Sequence, residues 1–240
     1  MNFKQILIVS LTFGFALQPV LAMADDSKSL SGFCADLDSN AAKLQIRLQE
    51  KKDELNEARI ERQANLQTAR DRRDELLQNQ RSKSDKERLQ YLNQLKNKAK
   101  TTEQKLALKE FEATVNNLVL DRRQSIDKIR VQFMAELDQI FLEYKTLSDQ
   151  NIQNFEAALN LSLSKARNDC AANKKDSKVT FLQNSKNDQN KFSQNQSHTN
   201  AIEQKLKQLT VNREKAINQI ETDFKTAAAK ATAKLQTFFR

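Results

Sequence analysis

The residue types that most often carry chemistry are few in this chain, and they lie far apart. Cys34 and Cys170 are its only cysteines and His198 is its only histidine, so neither a nucleophile–base pair nor a clustered metal site can be assembled from them. In a chain with an export signal, an even pair of cysteines favours a disulfide over a metal site or a nucleophile. We therefore predict a disulfide between Cys34 and Cys170.

Acidic residues and glycines also fail to make a reaction site. Asp25-Asp26 and Asp53-Glu54 are adjacent carboxylates in strongly polar surroundings, which is typical of solvated faces. Outside the leader the only glycine is Gly32, so no glycine-rich phosphate loop can form. The sequence predicts a protein that is not an enzyme and that has no catalytic residue, cofactor or metal site.

Two arginines stand inside otherwise apolar rows. The string Leu-x3-Arg-x3-Ile-x2-Ile-x3-Phe occurs around Arg122 and again 91 residues later around Arg213. The match is either an internal repeat or convergence on a shared period. Each arginine either pairs with a buried carboxylate and sets helix register, or covers the apolar seam with its aliphatic stem.

Apolar residues recur at eleven-residue intervals along most of the chain. Eleven residues over three helical turns is about 3.67 residues per turn, which keeps an apolar stripe on one face of a nearly straight helix. We expect these residues to form a seam between long helices that pack in the manner of a coiled coil. The seam residues are Leu44, Leu55, Leu66, Leu77, Phe111, Val115, Leu118, Ile126, Ile129, Phe133, Leu137, Ile140, Tyr144, Phe155, Ile217, Ile220 and Phe224.

The fold class follows from composition and from the cysteines. Two glycines and one proline in 240 residues argue against sheets and tight turns, and favour an all-α fold. Local chemistry allows a turn at residues 79–85 or at residues 96–104. Only the second brings Cys34 and Cys170 together in an antiparallel pair. The prediction is a long antiparallel helical hairpin over residues 34–170 with its apex near 101–102, in which Leu66 faces Leu137 and Leu89 faces Val115.

The two ends and the middle connection complete the organisation. Lys4, the apolar run after it and the small residues before Asp25 predict a signal peptide over residues 1–24, cut after Ala22 or Ala24. Residues 25–33 form a connector. Residues 171–200 are either a binding segment with phenylalanine anchors or a polar linker with a frayed helix, and we favour the linker. Residues 201–240 predict a C-terminal amphipathic helix, and no further run is apolar enough to cross a membrane.

Function is less constrained than fold. The net charge of +9 favours acidic or anionic partners, including an anionic surface polymer, but the basic residues are interleaved with acidic ones. The aromatic residues lie on the apolar stripe, which argues against nucleic acid. We expect an exported periplasmic, cell-surface or extracellular scaffolding protein. Its partner would be a second copy or another helical protein.

The alternative is a periplasmic holdase-type chaperone that binds acidic or apolar clients. In export, basic charge and long helical arms the chain resembles the periplasmic holdase chaperones, although it matches no motif of that family and lacks its short β segment.

Overall fold

A computed structural model describes residues 30–194 and 196–239. Four helices occupy that described part: α1 (Leu30–Lys98), α2 (Thr102–Ala171), α3 (Ser177–Gln194) and α4 (Gln196–Gln236). The prediction of an all-α fold, with a hairpin of two long helices and a C-terminal helix, is confirmed. The predicted signal peptide and its cleavage after Ala22 or Ala24 lie outside the described residues.

The turn between α1 and α2 lies at the second of the two positions that the sequence allowed. The hydroxyl of Thr101 accepts a hydrogen bond from the backbone N–H of Gln104, and the Gln104 side chain accepts one from the backbone N–H of Thr101. This reciprocal pair is a capping box, which starts α2 by satisfying free N–H groups of its first turn. Residues 79–85 lie inside the continuous helix α1.

The turn after α2 forms without glycine. Asn173 has a φ of 52°, in the left-handed region that asparagine tolerates better than most residues. The N–H of Lys174 bonds to the carbonyl of Asp169, and the N–H of Asn173 bonds to the carbonyl of Cys170. These two bonds are those of a Schellman motif, so Asn173 takes the place that glycine usually holds at a helix end.

The described chain divides into two compact units. The first combines α1 up to Leu66 with Leu142–Glu203, and the second combines Gln67–Phe141 with the described part of Gln204–Arg240. The core of the first unit contains residues of α1, α2 and α3, and Cys34 and Cys170 pack against it. Its buried members are Phe33, Leu37, Ala41, Leu44, Leu48, Phe155, Leu159, Leu163, Ala166 and Phe181.

The second unit is built around the apex of the hairpin and α4. Leu235 of α4 is buried in one cluster with Leu92, Leu108 and Phe111 of the hairpin. The side-chain amide of Gln104 donates a hydrogen bond of 3.1 Å to the backbone carbonyl of Phe238. The C-terminal helix therefore packs along the hairpin in this unit, a point that the sequence left undecided.

Residues 171–200, for which we favoured a polar linker with a frayed helix, contain a helix that packs on the core of the first unit. Helix α3 occupies Ser177–Gln194, and its Phe181 ring is 7% exposed and lies 5.8 Å from the ring of Phe33. Burying one such ring contributes about 1.5–3 kcal/mol, which offsets the weak helix preference of the many Asn and Ser residues around it. Packing within the first unit thus overrides the local propensity on which the linker prediction rested.

One predicted contact of the hairpin is wrong. Leu89 is 55% exposed, so it does not enter the interior beside Val115 as expected. Val115 itself packs against the buried cluster of the second unit that contains Leu92 and Leu108. Among the described residues, no helix combines the length and apolarity needed to cross a bilayer.

Candidate interaction site

The two cysteines are joined, as predicted. Cys34 near the start of α1 and Cys170 near the end of α2 form a disulfide, with their Cα atoms 5.7 Å apart. Both pack against the core of the first unit. The described residues contain no group of His, Cys, Asp or Glu side chains that could hold a metal ion, and the side chain of His198 lies outside what is described.

Every predicted seam residue is at least half-buried. In the second unit Leu137 is 1% exposed and Phe133 is 3% exposed, and in the first unit Phe155 is 6% exposed. Phe111 and Leu44 are buried as well. The other members are half-buried: Leu55, Leu66, Leu77, Val115, Leu118, Ile126, Ile129, Ile140, Tyr144, Ile217, Ile220 and Phe224.

Arginine–carboxylate pairs connect α1 to α2 within each unit. In the second unit Arg70 pairs with Asp138 at 2.6 Å, and Arg81, eleven residues further along α1, pairs with Asp127 at 2.7 Å. Moving eleven residues forward along α1, from Arg70 to Arg81, moves the partner eleven residues backward along α2, from Asp138 to Asp127, as antiparallel helices require. We call these pairs the ion-pair ladder, and the first unit contributes Arg59 and Asp149 to it, at 2.8 Å.

The ladder reinforces the register of the antiparallel helices more than it adds stability. Partly exposed pairs of this kind contribute roughly 0–1 kcal/mol each, because side-chain ordering and desolvation offset most of the Coulomb attraction. Shifting α2 by one residue relative to α1 would nevertheless break all the ladder pairs within a unit at once. Register is therefore specified twice, by the apolar seam and by the ladder.

Arginines of α2 also pair back to α1 in the second unit. Arg123 donates two hydrogen bonds to Asp85, of 2.6 and 3.0 Å, and Arg130 pairs with Asp74. Hydrogen bonding from Arg123 lowers the pKa of the Asp85 carboxyl below its ordinary value, and Arg81 lowers that of Asp127 in the same way. These carboxylates are thus held in their charged form.

Helix α4 meets α2 through two reciprocal arginine–phenylalanine contacts. The guanidinium of Arg122 lies 5.0 Å from the ring centre of Phe224, and that of Arg213 lies 4.9 Å from the ring centre of Phe133. Each arginine of the repeated string therefore stacks on the phenylalanine of the other copy. The two copies run antiparallel, and this part of the interface has an approximate two-fold symmetry within one chain.

The two halves of this contact differ in their charged neighbours. Arg122 also bonds to the carboxylate of Glu221, with N–O distances of 3.0 and 2.5 Å. Near Arg213 the neighbour is another arginine, Arg73 of α1. Burial lowers the pKa of Arg73, and the charges of Arg213 and Arg130 lower it further.

Large apolar side chains remain at the surface of both units. On α2, Leu120 is 52% exposed and Val131 is 71% exposed in the second unit, and Leu142 is 55% exposed in the first. These three residues also follow one another at eleven-residue intervals. A second apolar row with the period of the seam thus lies outside the described core.

Sequence reasoning missed the ion-pair ladder, although the signal was present. Arg59, Arg70 and Arg81 are spaced by eleven, and so are Asp127, Asp138 and Asp149. A search for opposite charges on matching eleven-residue spacings in the two arms would have found them. A search for apolar residues alone passes over these charged positions, although all of them except Asp138 are half-buried.

Comparison with known proteins gives no relative from which a role could be transferred. No known protein family, no curated protein sequence and no solved structure matches this chain.

Proposed function

We propose that this protein is an exported, non-enzymatic structural protein that works by helix–helix association, chiefly with further copies of itself. The observation that carries the proposal is that Leu120 and Val131 of the second unit are exposed and have the same eleven-residue spacing as the buried seam. Helices of this chain already pack on that spacing. The exposed apolar residues of a second copy have the same spacing, so the two copies can pack against each other as the helices within one copy do.

Export is supported by the leader-like start of the chain and by its disulfide. A bond between Cys34 and Cys170 is stable where the surroundings are oxidising, as they are in the periplasm and outside the cell. The partner is proposed to be a helical protein rather than nucleic acid, because acidic side chains pair with many of the arginines.

The test measures oligomeric state against protein concentration by sedimentation equilibrium. Burying a side chain such as Val131 in a helix–helix contact contributes about 1.5–3 kcal/mol, so Val131→Glu is expected to weaken self-association by about tenfold or more. Gln124→Glu introduces the same charge at an exposed polar position of the same helix, and it is expected to leave association unchanged.

A monomer at every concentration would contradict the proposal, and so would equal effects of Val131→Glu and Gln124→Glu. Light scattering in the presence of an unfolded outer-membrane protein distinguishes the holdase alternative from the proposed self-associating structural protein. Suppression of that client's aggregation by a protein that itself stays monomeric would favour the chaperone.

A further inference from the structure

Helix α3 is attached to the first unit by few apolar contacts. Among its described side chains, Phe181 is the only buried apolar one, and Val179 is 53% exposed. Ser177 and Ser185 are also buried, but the hydroxyl of Ser185 has no hydrogen-bond partner among the residues described. A buried hydroxyl without a partner opposes packing, because it has lost its bonds to water. The attachment of α3 therefore depends largely on the Phe181 ring.

The two arms of the hairpin hold each other by many more contacts in the same unit. Apart from Phe181, every buried residue of the core cluster belongs to α1 or α2. Ion pairs join the arms as well, between Lys52 and Glu156 at 2.6 Å and between Arg167 and Asp38 at 2.7 Å. Most of these contacts involve neither the disulfide nor α3. Loss of the disulfide therefore leaves the arms with contacts of their own.

The disulfide acts on the two places that position α3. Cys34 directly follows Phe33, whose ring lies 5.8 Å from that of Phe181. Phe33 lies in the first turn of α1, where backbone N–H groups lack partners within the helix and the chain frays readily. Cys170 lies at the turn into α3, and its carbonyl accepts a hydrogen bond from the N–H of Asn173. The bond thus fixes the partner of Phe181 and the chain that leads to it.

We propose that the Cys34–Cys170 disulfide is a redox-sensitive switch that controls the attachment of α3. A dithiol reductant breaks the bond, α3 leaves the hairpin, and the apolar surface around Phe33 and Phe181 becomes exposed. Both cysteines are half-buried rather than fully enclosed, so a reductant can reach them. The switch lies within the first unit and does not depend on the proposed self-association.

The reaction is a thiol–disulfide exchange. A thiolate of the reductant attacks one sulfur, and the other cysteine leaves as a thiolate. The second thiolate of the reductant then closes the reductant's own disulfide and releases the first cysteine. Two electrons pass from the reductant to Cys34 and Cys170, and the two protons that its thiols lose protonate the cysteines.

The experiment measures hydrogen exchange by mass spectrometry on the full chain, before and after reduction with dithiothreitol. Peptides of residues 177–194 should exchange at least about tenfold faster in the reduced protein, because α3 opens when a few contacts are lost. Peptides of residues 44–66 should still exchange at least about tenfold more slowly than α3 in that state, because the arms keep their own contacts. The fluorescence of anilinonaphthalene sulfonate should rise on reduction, since this dye binds exposed apolar surface.

Matched variants separate the switch from a general effect of reduction. Phe181→Ala removes the ring that attaches α3, so it should give fast exchange of α3 in the oxidised protein. Val179→Ala truncates an exposed side chain of the same helix and should leave that exchange unchanged. Replacement of both cysteines by serine should give fast exchange with and without dithiothreitol, which excludes a direct effect of the reductant.

Three results would overturn the proposal. The first is equal exchange of α3 in the oxidised and the reduced protein. The second is equal exchange of residues 177–194 and 44–66 in the reduced protein, including the case in which both lose all protection. That result would show that the disulfide stabilises the first unit as a whole. The third is equal behaviour of oxidised Phe181→Ala and Val179→Ala, which would show that the ring does not attach α3.

Discussion

The contact between Arg213 and Phe133 supports a quantitative prediction about the second unit. Phe133 is 3% exposed, and truncating a phenylalanine buried to that degree to alanine costs about 3–5 kcal/mol. Phe133→Leu nearly conserves volume and is expected to cost about 1–1.5 kcal/mol. The leucine also removes the ring face on which Arg213 stacks at 4.9 Å.

A double-mutant cycle isolates the stacking energy. Arg213→Met keeps an apolar stem of similar length but removes the charge. Since Arg213 is half-buried, we expect a coupling energy of about 1 kcal/mol between Arg213→Met and Phe133→Leu. The matched control pairs Arg213→Met with Phe155→Leu in the first unit. Phe155 is 6% exposed, and this pair is expected to be additive within about 0.5 kcal/mol.

The free energy of unfolding is measured in urea by circular dichroism at the helical minimum. Because the chain has two compact units, hydrogen exchange read by mass spectrometry then reports each unit separately. The losses from Phe133→Leu should appear in peptides of residues 204–236. A coupling energy of zero for Arg213 and Phe133, or one no larger than the control's, would show that the guanidinium and the ring do not stabilise each other.

Further predictions concern acid stability, the disulfide and the turn after α2. Because Arg81 holds the pKa of Asp127 below its ordinary 3.8, the stabilisation from this pair is complete above that ordinary value and is lost as pH falls through the lowered one. In Asp127→Asn, the free energy of unfolding measured in urea should therefore differ less between neutral and acid pH than it does in the unsubstituted protein. An unchanged difference would show that the Arg81–Asp127 pair does not contribute to acid sensitivity. Replacing Cys34 and Cys170 with serine opens a loop with a sequence separation of 136 and should lower the free energy of unfolding by about 2–5 kcal/mol, whereas a loss near zero would contradict a native bond. Asn173→Ala should cost about 1 kcal/mol at a φ of 52°, and Asn173→Gly should cost less. The reverse order in thermal melts would show that this turn is not as described.

The hairpin could be predicted from the sequence because its signals are repeated along the chain. One period of eleven marks the seam from Leu44 to Phe224, and the absence of glycine and proline excludes most other folds. Both candidate turns have similar capping chemistry, and the predicted disulfide selected the turn at residues 96–104. The structure has a capping box there, between Thr101 and Gln104.

What could not be predicted depends on contacts between distant residues. Helix α3 has a composition typical of linkers, and only the core around Phe33 explains why Phe181 is buried in a helix. The repeat around Arg122 and Arg213 was visible, but its meaning required knowledge that α2 and α4 run antiparallel there. A periodicity identifies which face of a helix packs against another element, but it does not identify the helix against which that face packs.

Zero-length carbodiimide cross-linking of the oxidised protein, followed by peptide mass analysis, tests the antiparallel register most directly. We expect an intrachain link between Lys52 and Glu156, whose charged atoms are 2.6 Å apart in the first unit. We also expect one between Lys96 and Glu112, whose charged atoms are 2.9 Å apart in the second. Links that instead connect residues on either side of a turn at residues 79–85 would contradict the hairpin described here.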